Sequence, residues 1–184
     1  MSKVKIKNSK QKIADILLKI GCVNINFKNK FTLTSGKKSP VYVDCRKLIS
    51  FPKEREIVIN EMTKLIKSKY KKKVIVAGGE TAGIPYSSFI SHKLKMPMVY
   101  IRKQPKGFGK GKLIEGEFKK KSTSILIEDM ATDGGSKLHF INSLRKNTLS
   151  VKDIYVVFFY NIYPVAKKNL NKMKVNLNYL ASWH

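Results

Sequence analysis

Residues 124–136 read SILIEDMATDGGS, and their pattern sets the architecture that we expect for the whole 184-residue chain. The stretch begins with a short apolar run rich in isoleucine, which is typical of a buried parallel strand. Two acids, Glu128 and Asp129, close the run, and the pair Gly134-Gly135 then leads into a segment with helical character. The pattern predicts a strand, a glycine-containing turn and a helix in succession.

The same stretch carries groups that suit a ribose phosphate. Adjacent carboxylates accept hydrogen bonds from the vicinal hydroxyls of a sugar. The glycines allow positive φ and a close approach of the backbone to a phosphate, and the N–H groups of such a turn form an anion-binding cradle with the helix N-terminus. The alternative is an ordinary strand-to-helix turn with an acidic rim, but the acids directly before the turn favour the sugar phosphate.

The rest of the chain alternates between helical and strand patterns. The predicted helices are 9–20, 52–68, 84–93, 135–146 and 165–172, and the predicted strands are 22–27, 31–33, 41–44, 74–77, 98–101, 124–128, 154–160 and 175–180. Such alternation implies an α/β fold with a mostly parallel central sheet flanked by helices, and with ligands at the carboxyl ends of the strands. The predicted loops 78–83 and 131–136 both lie at such ends. We expect one domain, residues 1–184, in which residues 1–45 contribute an N-terminal helix and a small hood over the site.

Composition limits the classes of function. The 38 basic and 12 acidic residues give a formal net charge of +26, which is typical of nucleic-acid-binding proteins. The lysines are spread along the chain, so we expect that nucleic-acid binding is not the main function and that the positive field favours a polyanionic substrate. Two cysteines are too few for a disulfide framework, no signal peptide is recognisable, and no apolar run is long enough to span a bilayer. These features predict a soluble, cytoplasmic protein without a membrane partner.

Four segments, in this order, resemble the orotate phosphoribosyltransferases, a branch of the type I phosphoribosyltransferase family. Residues 31–44 (FTLTSGKKSPVYVD) resemble the N-terminal signature of these enzymes, and residues 79–85 (GETAGIP) resemble their pyrophosphate loop. Residues 102–116, with RKQPKGFG and IEG at their ends, resemble the mobile catalytic loop. Residues 124–136 resemble the motif that binds 5-phosphoribosyl 1-pyrophosphate (PRPP).

The resemblance implies a reaction, a cofactor and an assembly. The reaction is transfer of ribose 5-phosphate from PRPP to orotate, giving orotidine 5′-monophosphate and pyrophosphate in the synthesis of UMP. Mg²⁺ would bridge oxygens of the pyrophosphate and the ribose, since hard cations prefer oxygen ligands, and Asp129 would touch the metal only indirectly, through PRPP. The assembly is a homodimer in which the mobile loop crosses to the other subunit.

The resemblance also implies roles for individual residues. The catalytic set is Asp129 together with the loop cations Arg102, Lys103 and Lys106, which would stabilise the charge that grows on pyrophosphate. The PRPP-binding set is Glu128, Asp129, Ala131, Thr132, Asp133, Gly134, Gly135, Ser136, Glu80, Thr81, Ala82 and Gly83. The orotate-binding set is Tyr42, Ser39, Lys38 and Thr132, and Thr132 stands where relatives that use hypoxanthine or guanine carry an aspartate.

Several positions depart from the family pattern. Phe108 replaces a loop histidine, Ala82 stands where many members have lysine, and residues 160–164 (YNIYP) lack an arginine that often pairs with orotate. Asp133 would repel a phosphate unless Mg²⁺ or Lys137 compensates for its charge. Two alternatives therefore stay open, which are the same chemistry on another base, and a non-catalytic regulator or RNA-binding protein with this fold.

Overall fold

The structure, a computed structural model, describes residues 9–33, 36, 38–105 and 112–183. Its strands are β1 Val23–Ile25, β2 Phe31–Thr32, β3 Lys38–Ser39, β4 Val41–Val43, β5 Ile75–Gly79, β6 Met98–Ile101, β7 Ile114–Glu115, β8 Thr123–Ala131, β9 Ser150–Phe159 and β10 Asn176–Ser182. Its α-helices are α1 Ser9–Lys19, α2 Pro52–Lys69, α3 Gly83–Leu94, α4 Gly135–Lys146 and α5 Pro164–Lys172, and a 3₁₀ helix covers Cys45–Ser50.

A six-stranded sheet in the order β10-β9-β8-β5-β6-β7 forms the centre of the described part of the chain. The pairs from β10 to β6 are parallel, and only the short edge strand β7 runs antiparallel to its neighbour. Parallel neighbours need crossover connections, and α3 and α4 provide them after β5 and β8. The glycine turns before these two helices therefore lie at the carboxyl ends of adjacent central strands.

Helices cover both faces of this sheet. Ile125 and Ile127 of β8 are buried in the core that includes α1, α2 and α3, whereas Leu126 lies in the core that includes α4 and α5. Successive side chains of a strand point to opposite faces of the sheet, so a continuous apolar run indicates a strand that is buried on both faces. The α/β class with a mostly parallel sheet flanked by helices is thus confirmed. Among the described helices, none combines the length and the apolar character needed to cross a bilayer.

Two small antiparallel pairs form the N-terminal part of the described chain. Strand β1 pairs with β4, and β2 pairs with β3. Two buried tyrosines attach this part to the main body, because the hydroxyl of Tyr160 accepts a hydrogen bond from Val43 N at 3.0 Å and the hydroxyl of Tyr86 donates to Cys45 O at 2.6 Å. The segment after β4 is thereby fixed beside the carboxyl ends of the central strands.

The structure corrects three predicted boundaries. Strand β8 continues past Glu128 and Asp129 because Met130 and Ala131 still pair with β9, so the two acids lie within the strand and do not close it. The predicted loop at 78–83 was wrong at its start, since Gly78 and Gly79 pair with β6. The predicted loop at 102–116 likewise contains β7, which pairs with β6.

A buried acid on β9 joins α2 to the edge of the sheet. The carboxylate of Asp153 is fully buried and accepts hydrogen bonds from Lys69 and Tyr70 at the end of α2. It also accepts from the side-chain amides of Asn176 at 3.2 Å and Asn178 at 3.3 Å. A buried charge is tolerated only with such partners, so this cluster is expected to matter for stability.

Replacing Asp153 with alanine should destabilise the protein by about 2–3 kcal/mol, because the tyrosine hydroxyl and two amides lose their shared acceptor. Urea unfolding monitored by circular dichroism measures this change. The matched control is Glu61→Ala, which removes the acid of an exposed helical pair with Lys64 at 2.6 Å and should cost less than about 1 kcal/mol. Similar losses in the two variants would contradict the role assigned to Asp153.

Candidate active site

A cleft of about 320 Å³ lies where the carboxyl ends of β5 and β8 meet the N-terminal part of the chain. The described residues that line it come from six segments of the sequence. They are Leu33, then Tyr42, Val43, Asp44 and Arg46, then Glu80, Thr81 and Ala82, then Lys103, then Glu128, Asp129, Met130, Thr132, Gly134, Lys137 and Phe140, and finally Tyr160. The cleft therefore brings together the predicted PRPP motif, the predicted pyrophosphate loop and the predicted N-terminal signature.

Glu128 and Lys137 form a buried ion pair at the floor of the cleft. Lys137 Nζ lies 2.8 Å from Glu128 Oε2, and both side chains are more than nine-tenths buried. Strand β8 supplies the acid and the first turns of α4 supply the cation, so the pair fixes the helix against the strand. From the sequence, Mg²⁺ or Lys137 was considered as the group that compensates for Asp133, and the structure pairs Lys137 with Glu128.

Two glycines make room for the carboxylate of Glu128. A Cβ atom built on Gly79 would lie 2.0 Å from Glu128 Oε1, and a Cβ atom on Gly83 would lie 2.6 Å from the same oxygen and 2.5 Å from Ile127 O. These distances are far shorter than van der Waals contacts. The Gly-Glu-Thr-Ala-Gly segment therefore carries glycine at its two ends because the neighbouring strand fills the space that side chains would need.

Burial changes the protonation of both strand acids. Burial raises the pKa of Glu128 to about 7, although the charge of Lys137 and its hydrogen bond act in the opposite direction. Burial likewise raises the pKa of Asp129, against the charges of Lys137 and Arg46 and the hydrogen bond from Met130 N. Desolvation disfavours the charged form of a carboxyl group. The Oε1 atom of Glu128 is buried and has no hydrogen-bond partner among the described residues.

The turn between β8 and α4 has the geometry expected of an anion cradle. Gly134 has φ +81°, a conformation that favours glycine, and α4 begins at the next residue. Asp133 Oδ1 accepts a hydrogen bond from Gly135 N at 3.0 Å, so this acid occupies one of the amides that we expected for a phosphate. Asn169 of α5 holds the turn from outside by donating to Asp133 O at 3.0 Å.

Residues of this turn differ in their access to the cleft. Thr132 and Gly134 line it, whereas Ala131 is buried and its carbonyl accepts a hydrogen bond from Tyr160 N at 3.0 Å. The backbone of Ser136 belongs to α4, but its side chain lies outside what the structure describes.

The predicted pyrophosphate loop contacts the start of the predicted catalytic loop. Glu80 Oε2 accepts a hydrogen bond from Lys103 N at 2.7 Å, and Thr81 and Ala82 line the cleft beside it. Arg102 donates through Nε to Gln104 O at 3.3 Å and is not part of the described lining. Lys106 lies outside the described residues, as does Phe108.

The predicted orotate-binding residues separate into two groups. Tyr42 lines the cleft, with its ring 5.6 Å from that of Phe31. Lys38 instead donates to Thr32 Oγ1 at 2.6 Å, and Ser39 hydrogen-bonds the backbone of Val41, so the described cleft lining does not include either side chain. Their assignment to orotate stays a prediction.

Sequence reasoning did not single out Arg46, Asp44 or Phe140, all of which line the cleft. Arg46 follows the N-terminal signature by two residues, and no periodicity or spacing marks it. Phe140 matches the helical pattern of α4, which describes a core residue equally well. A charged residue two positions after the signature is the one signal that could have drawn attention to this region.

Comparison with known proteins identifies the family. None of the protein-family models matched the chain. An orotate phosphoribosyltransferase from a Ruegeria species is 42% identical over 172 residues, which cover 92% of this chain and 76% of that protein. The chain belongs to the orotate phosphoribosyltransferase family. The family assigned from the four sequence segments is thereby confirmed.

Solved structures agree with this assignment. The orotate phosphoribosyltransferase from Aeropyrum pernix shares 26% identity and a TM-score of 0.78, and the match covers 92% of this chain and 93% of that one. The UMP synthase of Leishmania donovani shares 32% identity and a TM-score of 0.81, but the chain covers only 37% of it. Orotate phosphoribosyltransferases and this chain thus share the type I phosphoribosyltransferase fold.

Gly83→Ala should destabilise the protein by about 1–3 kcal/mol, because the new methyl group would overlap the carboxylate of Glu128. Gly135→Ala is a matched control, since this glycine also begins a helix but the nearest atom to its Cβ would be Asp133 Oδ1 at 3.5 Å, an ordinary van der Waals contact. The control should be neutral or more stable by up to about 1 kcal/mol, as alanine restricts the unfolded chain. Thermal unfolding without ligands measures both, and equal effects would contradict the packing argument.

Lys137→Met should lose stability relative to the wild-type protein by an amount that grows as the pH rises. Without the ammonium group, burial raises the pKa of Glu128 further above its usual value of 4.5. The folded state then retains a proton that the unfolded state has released, so stability falls with rising pH. This fall ends near the pKa of about 7 in the wild-type protein but continues above it in the variant.

Urea unfolding on either side of this pKa, for example at about pH 5.5 and about pH 8.5, tests the effect. Lys64→Met removes the cation of the exposed pair with Glu61 and should change stability little at either pH. A deficit of Lys137→Met that is the same at both pH values would show that Glu128 does not depend on Lys137 for its charge.

Proposed function

We propose that this chain transfers ribose 5-phosphate from PRPP to orotate, with Mg²⁺ as cofactor, and so forms orotidine 5′-monophosphate and pyrophosphate in UMP biosynthesis. Membership of the orotate phosphoribosyltransferase family carries the proposal. The described cleft adds support from its chemistry, because it combines a glycine turn at a helix N-terminus with neighbouring carboxylates and cations. The activity on another base and the non-catalytic reading are not favoured by the relatives.

Asp129 is the carboxylate that would accept hydrogen bonds from the ribose hydroxyls. Both Asp129 and its neighbour Glu128 line the cleft, but Glu128 is engaged by Lys137. This division suggests that Glu128 positions the strand and the helix, and that Asp129 contacts the sugar. The 5′-phosphate would lie on the N–H groups at the start of α4, where the helix dipole favours negative charge.

Lys103 would stabilise the departing pyrophosphate. During the reaction the bond from C1′ to pyrophosphate breaks, a bond from C1′ to a ring nitrogen of orotate forms, and that nitrogen gives up its proton. Negative charge grows on the leaving group, and cations held nearby lower the barrier most when they meet that charge. Lys103 lines the cleft of its own subunit and its backbone is held by Glu80, and we expect Arg102 and Lys106 to act on the pyrophosphate in the partner's site when the mobile loop crosses to it.

The acids of the cleft fit a hard cation that is held mainly by substrate. Glu80, Glu128 and Asp129 offer only oxygen atoms, which Mg²⁺ prefers. The described residues contain no group of three or more acidic, histidine or cysteine side chains that could hold a metal on their own. A bound Mg²⁺ would supply charge neutralisation of the pyrophosphate, with Asp129 acting on it only through PRPP.

The setting of the enzyme completes the proposal. We expect a homodimer in which the mobile loop reaches the partner's site, and a cytoplasmic location where PRPP and orotate are available. A net charge of +26 would draw both anionic substrates towards the cleft.

The loss of orotate absorbance, followed with PRPP in the presence and absence of Mg²⁺, tests the function. We expect metal-dependent consumption of orotate by the wild-type protein and a fall of at least about 100-fold in kcat for Asp129→Asn. A folded wild-type protein that PRPP protects against thermal unfolding, but that does not consume orotate, would refute orotate as the acceptor. A protein without turnover and without protection by PRPP would refute the whole assignment.

A further inference from the structure

One wall of the cleft carries a cation that has more N–H donors than its described partners use. Three cationic side chains line the described cleft, and they are Arg46, Lys103 and Lys137. Lys137 is buried against Glu128, and Lys103 stands at the start of the loop beside Glu80. Arg46 lies on the opposite wall, which is formed by the N-terminal part of the chain.

Asp44 fixes the orientation of the Arg46 guanidinium. Arg46 Nε lies 2.6 Å from Asp44 Oδ1, and Nη2 lies 3.0 Å from Asp44 Oδ2, so the two planar groups meet edge to edge. Asp44 also caps the 3₁₀ helix by accepting a hydrogen bond from Arg46 N at 3.1 Å. The local backbone and the side-chain pair therefore hold each other in place.

Tyr42 uses a further donor of the same group. Arg46 Nη2 donates to the hydroxyl of Tyr42 at 3.0 Å. The Nη1 amino group donates to none of the described residues, and 55% of the Arg46 side chain is exposed. Arginine has five N–H donors in a fixed fork. Arg46 can therefore bind a second anion through Nη1 while it keeps its hydrogen bonds to Asp44.

Arg46 also faces the acid that we assign to the ribose. Its charge is close enough to Asp129 to oppose the rise that burial causes in the pKa of that acid. A base that reacts at C1′ must lie next to the ribose, and therefore between Asp129 and the wall formed by Tyr42 and Arg46. Among the described cations, Arg46 is the one on this side of the cleft with an unused donor edge.

We propose that the guanidinium of Arg46, held by Asp44 and Tyr42, binds the carboxylate of the acceptor base and selects orotate over bases without that group. The proposal rests on the proposed function, since it concerns the acceptor side of the same site. Orotate differs from uracil by this carboxylate. Arginine suits it because its donors are spread over three nitrogens, so Nη1 can donate to the carboxylate while Asp44 and Tyr42 hold Nε and Nη2, which the single nitrogen of a lysine cannot reproduce.

The test compares the Michaelis constants of the two substrates in Arg46→Met and Arg46→Lys. Loss of a charge-assisted pair should raise the KM for orotate by about 10- to 100-fold in Arg46→Met, while the KM for PRPP and protection by PRPP against thermal unfolding stay within about twofold. Arg46→Lys should recover only part of the loss. The KM split matters because a merely structural role would impair both substrates together.

Two controls separate recognition from general charge. Lys47→Met removes the same charge from the next residue of the 3₁₀ helix, where Lys47 Nζ donates to Gly21 O outside the described cleft lining, and it should leave the KM for orotate within about twofold. In Arg46→Ala, added guanidinium ions should lower the KM for orotate, whereas sodium chloride at the same ionic strength should not.

The outcomes distinguish the two proposals. An active wild-type protein whose Arg46→Met variant keeps the KM for orotate, or loses affinity for PRPP to the same degree, would overturn the role of Arg46 and leave the function intact. A wild-type protein that does not consume orotate would overturn both.

Discussion

The buried pair of Glu128 and Lys137 is the constraint on which the site depends. An ion pair that is largely buried is tolerated only when geometry and packing are held closely, because both charges have lost most of their hydration. Here it joins β8 to α4, and its acid occupies the space beside Gly79 and Gly83. The same carboxylate therefore contacts the helix that begins the phosphate cradle and the glycines at the end of the neighbouring strand.

The charge distribution of the cleft contrasts with that of the whole protein. Four of the 12 acids line the described cleft, namely Asp44, Glu80, Glu128 and Asp129, although the chain carries a net charge of +26. Acids in a site that binds a polyanion would repel that ligand unless each acid is engaged by a cation or a hydrogen-bond donor. In this structure Asp44 orients Arg46, Glu80 holds the backbone of Lys103, and Glu128 binds Lys137. Asp129 is then the acid that remains to bind the sugar. Three of the four acids therefore position cationic residues, and one is assigned to the substrate.

The fold was largely predictable from local patterns. Apolar runs such as the one before Glu128 are buried on both faces, and the alternation of strands with amphipathic helices leads to a parallel sheet. The predicted boundaries were wrong where backbone pairing between strands, and not the local sequence pattern, determines whether a residue belongs to a strand. Gly78 and Gly79 were predicted to be a loop because glycine is rare in strands, but they pair with β6. Ser87 and Gly83 fill the side-chain space of Gly78, and Glu128 fills that of Gly79. The two-residue strand β7 carries too few residues for any period to show.

The order of the motifs determined the family, the class of reaction and the strand-turn-helix that suits a sugar phosphate, because such chemistry needs particular residues at short spacing. Only the tertiary structure decided which role each residue of the site takes. Glu128 and Asp129 are neighbours with the same charge and both line the cleft, yet the fold places a buried lysine 2.8 Å from the carboxylate of Glu128. Arg46 acquires its place from contacts that join distant segments, including the bond between Tyr160 and Val43. Long-range packing of this kind leaves no local pattern from which it could be predicted.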